Sequence, residues 1–375
     1  MVGTGKTAGP ESLTLIERFI HLMPFPYTVT SLILAATLLG RPGIVFFRYL
    51  DSLNINEGLV RSGILNPKLE LVAPLWQIAA DAILFSLTPF YLLYMIRYMR
   101  MKLVAAEPEL LPISPEGEET LHKVFGRVSS QVPQILLSSI LIVAIGIPTV
   151  VANFQASGGL FGLIFDSVSN SVYWVVTGSF IWVYFSSLRG LHELGNEPLK
   201  LKLYSQDRML GLRPVGSLSL LYTVAYFGFF LLGGLYVSVS INIPAGVLSA
   251  QGFIFIFAFV LLGIVMFFLP LNNIHRRMLE ERRRVQASIR SQFSRLAELS
   301  NDLSRESSET TLTDLKSLLT DLKNLQTFEM AERKAATIAT WPFDTQVIGR
   351  LTAIIITVLG RLLARIIGAT LQFPR

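Results

Sequence analysis

The 375-residue chain contains no cysteine. Disulfides, thiolate metal sites and thiol nucleophiles are thereby excluded, and no residue reports on redox compartment. Histidine is scarce as well. His21, His122, His192 and His275 stand far apart, without the clustering or i,i+4 spacing that metal ligation needs. Charge is thin: Asp, Glu, Lys and Arg make up 15% of the residues, against about 25% in soluble proteins, while 51% are hydrophobic. So apolar a chain cannot present an ordinary water-facing surface, and its class is a polytopic membrane protein. No Ser-His-acid order, Gly-x-Ser-x-Gly elbow or pair of intramembrane aspartates occurs, so hydrolase and intramembrane protease chemistry have no residues to rest on. The expectation is a non-enzymatic protein with no cofactor and no metal.

What is abundant is long apolar sequence. Six runs are of spanning length, at about 28–47, 71–95, 132–153, 171–188, 216–241 and 251–270, given that roughly 20 residues cross a bilayer as a helix. The basic residues alternate between the connections, except at 48–70. That stretch carries Arg48, Arg61 and Lys68 on the outer side if the first two runs both cross; a first segment that re-enters, broken at Gly40-Arg41-Pro42-Gly43, is the lesser reading. Residues 96–131 carry Arg97, Arg100, Lys102, Lys123 and Arg127, and residues 189–215 carry Arg189, Lys200, Lys202, Arg208 and Arg213. Connections 154–170 and 242–250 carry none, whereas 271–343 carries twelve. The positive-inside rule then places the basic connections, and with them the N-terminal tail (1–27), in the cytoplasm. The net charge of +6 sits beside the apolar runs, so its expected partner is a bilayer with anionic headgroups and not nucleic acid. The N-terminal stretch has no compact apolar core ending in a cleavage-like site, and the first span is expected to act as its own signal-anchor. Gly3-Thr4-Gly5-Lys6-Thr7 looks like the end of a phosphate loop but lacks the preceding strand and later acidic ligand; it reads as a polar tail.

Two charged residues fall inside the first pair of spans. Asp81 lies about ten residues from the outer end of the second span, and Arg41 lies at a similar depth in the first. An intramembrane ion pair fixing two helices explains them with the fewest assumptions; a proton-relay or counter-ion acid on a transport path is the sharper alternative. His192-Glu193, just past the fourth span, reads as part of a solvated loop.

The last third is built differently. The uncharged run Gly252–Leu269 ends at Pro270 and turns within a few residues into His275-Arg276-Arg277 and Arg282-Arg283-Arg284. Met278, Val285, Ile289, Phe293, Leu296, Leu299 and Leu303 then form one helical stripe. Polar residues 304–311 precede a second stripe, Leu315, Leu318, Leu322 and Leu325. The pattern predicts a cytoplasmic antiparallel helical hairpin, coiled-coil-like, over 271–343. Such a hairpin needs a partner for its stripes, which a second copy pairing through 271–336 would supply. Pro342 ends the second helix, and Trp341 and Phe343 suit interface anchors. In the apolar C-terminal segment, 344–375, Arg350, Arg361 and Arg365 fall at about 0°, 20° and 60° around a helix. That stripe fits an interfacial helix with arginines on lipid phosphates; a seventh crossing with the arginines buried in protein fits nearly as well.

The loop Asp207–Gly216, the junction Leu269–Met278 and Trp341-Pro342-Phe343 together resemble a group of uncharacterised prokaryotic polytopic membrane proteins. The resemblance covers roughly the second half of the chain. It implies spans (28–270) followed by a hairpin and a terminal apolar helix in a prokaryotic cell membrane, and no activity. The fold class expected is therefore all-α, a polytopic membrane helical bundle with a cytoplasmic hairpin. The function expected is a sensor or scaffold in which Pro270 and His275 mark a coupling junction; the alternative is a transporter or channel with a path near Asp81.

Overall fold

A computed structural model describes residues 13–37, 75–152, 160–202, 207–239, 250–306, 337–343, 346–353 and 355–357, with isolated positions at 323, 330, 333 and 360. Among these residues all regular structure is helical. The helices are α1 (Leu15–His21), α2 (Tyr27–Thr37), α3 (Leu75–Leu110), α4 (Glu118–Phe125), α5 (Gln131–Leu141), α6 (Ile147–Ala152), α7 (Leu160–Asn196), α8 (Arg213–Val239), α9 (Ala250–Phe268) and α10 (Asn272–Glu306). A C-terminal helix, α11, covers Gln346–Thr357.

Four stretches are long and apolar enough to cross a bilayer: Glu118–Val151, Ser167–Asn196, Arg213–Gly233 and Phe257–Ser291. They overlap the third to sixth expected spans, the first of them taking in α4 and the last running on into α10, and the chain is a multi-pass membrane protein. The lateral order follows from helix contacts: α9 packs on α8, α8 on α3, α3 on α7 and α7 on α5, with α2 against α3. Of the first expected span only α2 is described.

Helix lengths explain the shape. α3 has 36 residues and α7 has 37, about 55 Å each at 1.5 Å per residue, whereas the hydrocarbon core is about 30 Å thick. Both helices therefore continue well beyond the apolar layer on the side where the basic residues lie. Their extensions, with α4, the 207–212 loop and the start of α10, enclose one end of a continuous core, with Leu110, Ile113, Leu121, Leu191, Leu212 and Ile274 each at most 5% exposed. Segment 96–131, expected as a connection, is thus largely helical and packed, and of 189–215 the first residues continue α7 to Asn196. His192-Glu193 is corrected with them. The pair lies on α7, where Glu193 binds Arg189 (2.7 Å) and Arg127 (3.2 Å), and the apolar stripe of Leu188, Leu191 and Leu194 keeps the helix going.

The third span is interrupted. Pro148 has no N–H to give, and the helix widens to π geometry over Ile142–Gly146. The Asn170 amide donates to the Gly146 carbonyl at 2.8 Å, and the Trp174 indole donates to Asn170 Oδ1 at 3.0 Å. The π turn is thereby tied to α7 by a side-chain hydrogen bond to its backbone. Gly228 allows close packing of α8 on α3: a Cβ there would overlap the Tyr91 hydroxyl.

The N-terminal region holds an element the hydropathy pattern did not suggest. The Thr14 side chain accepts from Glu17 N–H (3.3 Å) while the Glu17 carboxylate accepts from Thr14 N–H (3.1 Å), a reciprocal capping box that starts α1. Ile16 and Ile20 are buried, and the Leu15 N–H donates to the Gln134 side chain at 3.1 Å. α1 therefore docks against the start of the third span.

Candidate functional site

The junction between α9 and α10 is a single tight turn. Pro270 cannot donate to Met266, so the α-helical ladder breaks there. The Leu271 N–H reaches Phe268 O (3.1 Å) and His275 N–H reaches Leu271 O (2.8 Å), restarting the helix within one turn. Pro270, Leu271, Ile274 and Met278 are all buried. The span and the basic helix are joined without slack.

Residues 338–343 lock this turn from outside. The Trp341 indole stacks on the His275 imidazole with centroids 4.0 Å apart and planes 15° from parallel. His275 Nδ1 lies 2.6 Å from Thr340 O; a carbonyl only accepts, so Nδ1 carries the hydrogen. Trp341 also meets Phe268 edge-on at 5.4 Å, and Phe343 meets Phe267 at 5.5 Å. Pro342 rests on Gly216 near the start of α8, so closely that a Cβ on Gly216 would overlap the Pro342 carbonyl oxygen.

The 207–212 loop holds the other side of the lock. Asp207 accepts from the Met209 and Gly211 amides at 2.9 and 2.8 Å, fixing a turn in which Leu210 has φ 56° and Gly211 φ 86°. Left-handed geometry costs a leucine about 1–2 kcal/mol, and burial of Leu210 to 1% exposure offsets it. Backbone bonds from Lys202 N to Leu210 O (3.1 Å), Lys200 N to Ile113 O (2.8 Å) and Ala339 N to Arg208 O (3.0 Å) tie α3, the loop and the 338–343 segment together. α7 joins too: Arg277 donates to Asn196 O at 2.6 Å and Asn273 to Asn196 Oδ1 at 2.7 Å. A guanidinium at the carbonyl end of α7 also meets the negative end of its dipole.

The 207–212 loop, the Leu269–Met278 junction and Trp341-Pro342-Phe343 therefore converge on one site. Pro270 and His275 are at its centre. Trp341 and Phe343, expected as interface anchors, are packed into the protein, with Phe343 buried. Arg350 is exposed on α11, while Val347, Leu351 and Ile355 of the same helix pack against the core. Arg41, Arg361 and Arg365 lie outside the described residues, as does the side chain of Asp81, whose backbone belongs to α3. Of the expected hairpin, α10 is described, and its returning half falls outside the described residues.

One charged site was not foreseen. Glu17, 1% exposed, pairs with Arg100 at 2.7 Å and ties α1 to α3. Nearby, Arg97 lies over the Tyr27 ring at 4.4 Å, and the Tyr27 hydroxyl donates to Leu93 O at 2.8 Å. On the outer face of the basic layer, Lys123 binds Glu197 at 3.1 Å, and this hydrogen-bonded carboxylate holds the lysine pKa above its ordinary value. Among the described residues no three His, Asp or Glu side chains converge on a point that would hold a metal ion.

Comparison with protein-family models, with curated proteins and with solved structures finds no match to this chain.

Proposed function

We propose that this membrane protein is a non-enzymatic sensor or scaffold, in which the spans respond to the state of the bilayer and the α9–α10 junction passes that response to α10. One observation carries the reading. The turn at Pro270 is braced by α7, by the 207–212 loop and by Trp341, so a tilt of α9 cannot be absorbed at the junction and has to move α10. Helix tilt is how a span of fixed length answers a change in bilayer thickness, which makes thickness a natural input. The basic side is the cytoplasmic side on this reading, and α10 presents its exposed basic face there.

The test uses the absence of native cysteine. Spin labels at Glu119→Cys on α4 and Ser288→Cys on α10, both exposed positions, report their separation in bilayers with cores about 27 and about 33 Å thick. A shifted distance between the two, with ion and proton flux equal to that of empty vesicles, supports the reading. An unchanged distance overturns it, and protein-dependent flux would point to transport.

A further inference from the structure

A cavity of about 440 Å³ opens on the basic side between the end of α3 and α4. Its volume lies in the range of small-molecule sites, roughly 300–1,000 Å³. The floor is apolar, formed by Leu103, Leu121 and Phe125 among others, and the rim carries Glu107 and Glu118. Arg100 also lines it, but its charge is already met by Glu17 at 2.7 Å. Neither Glu107 nor Glu118 makes an ion pair among the described residues. Of the basic residues on and just after α4, Lys123 and Arg127 are engaged by Glu197 and Glu193, and the exposed His122 ring also lines the cavity. The unanswered charge at the rim is therefore negative, above an apolar floor placed where α3 leaves the membrane.

We propose that this cavity binds an organic cation with a hydrophobic body, such as a long-chain alkylammonium. The alkyl chain covers Leu103 and Leu121, the ammonium lies between the two carboxylates, and the Phe125 ring offers it a π face. Such a molecule partitions into the bilayer surface first and reaches the cavity from there. An anionic amphiphile of equal length meets two like charges, and an uncharged one leaves both carboxylates unanswered.

Radiolabelled dodecyltrimethylammonium is titrated onto the full chain in phosphatidylcholine nanodiscs, with empty discs subtracted. The expected result is one saturable site, displaced by dodecylamine and not by dodecanoate or dodecanol. E107Q/E118Q weakens it about tenfold or more, whereas Glu109→Gln, a nearby exposed acid that does not line the cavity, leaves it unchanged. Leu103→Trp, which fills the floor, abolishes it in protein that keeps its melting temperature. No saturable component above empty discs, equal displacement by dodecanoate or dodecanol, or full binding to E107Q/E118Q would overturn the proposal.

Discussion

His275 and Trp341 are 66 positions apart and stack face to face, with centroids 4.0 Å apart. The stack closes a loop of chain that leaves the membrane through α9, runs along α10 and comes back to the turn where it left. This contact, with the carbonyl bond from Thr340, keeps the apolar span and the basic helix in one fixed relation.

Replacing Trp341 by Ala removes the stack and the Phe268 contact. Half-buried aromatic truncation at a packed site costs about 2 kcal/mol, below the 3–5 kcal/mol typical of full burial. Trp341→Phe keeps most of the ring contact and is expected to lose less than half of that. Thermal unfolding in nanodiscs followed by near-ultraviolet circular dichroism ranks the two.

Gly216→Ala drives a methyl into the Pro342 carbonyl. Overpacking of this kind costs about 1–3 kcal/mol, and here the cheapest relaxation is release of residues 338–343. Faster proteolysis near Trp341 is the expected signature. Gly233→Ala, where no atom lies within 4 Å of the added methyl, serves as the control and leaves the cleavage rate unchanged.

Glu17→Ala leaves the Arg100 guanidinium without its carboxylate. Arg100 is 12% exposed and Glu17 1%, so the loss approaches the roughly 3 kcal/mol at the lower end for broken buried pairs. Glu17→Ala with Arg100→Met removes both charges and recovers part of the loss. A double-mutant cycle on chemical unfolding measures the coupling; a coupling near zero would mean that α1 is not held by this pair.

Asn170→Leu removes the donor to the Gly146 carbonyl. Interhelical hydrogen bonds in membranes are worth about 0.6–2 kcal/mol, and a destabilisation within that range is expected. Thr177→Val on α7 removes a side-chain bond to Tyr173 O within its own helix and costs less. Denaturant titration in mixed micelles compares them.

Lys123 titrates above the ordinary lysine range because the Glu197 carboxylate holds its proton. A pKa raised on folding adds stability at pH values below the unfolded lysine pKa, and that contribution disappears as pH rises through the folded value. Lys123 is fully exposed, so the effect belongs to the titration midpoint more than to stability. Nitrogen-detected NMR of the ammonium follows that midpoint, which Glu197→Gln returns toward the ordinary value.

The fold was legible wherever one residue class dominates a long window. Runs such as 251–270 carry their meaning in composition alone, and α10 was readable from the stripe of Met278, Val285 and Ile289. The extensions of α3 and α7 were not, because hydropathy falls once Arg97, Arg100, Glu107 and Glu193 appear, although one apolar stripe suffices to keep a helix packed. Pro108 within α3 reads as a breaker for the same reason. The start of α1 is written locally in Thr14-x-x-Glu17, but its partner Arg100 lies 83 positions away. Pro270 and His275 stood out by their place between two compositions. That Trp341 returns to cover them depends on tertiary packing, which no local pattern encodes.

The most direct test follows the Glu119–Ser288 spin-label distance in thin and thick bilayers, in the native background and with Trp341→Ala. A rigid, clamped junction predicts that the thickness-dependent shift seen with Trp341 is lost, and the distance distribution broadened, in Trp341→Ala, while Trp341→Phe retains both. A shift of full size in Trp341→Ala would contradict the account, because α10 would then follow the span without the clamp.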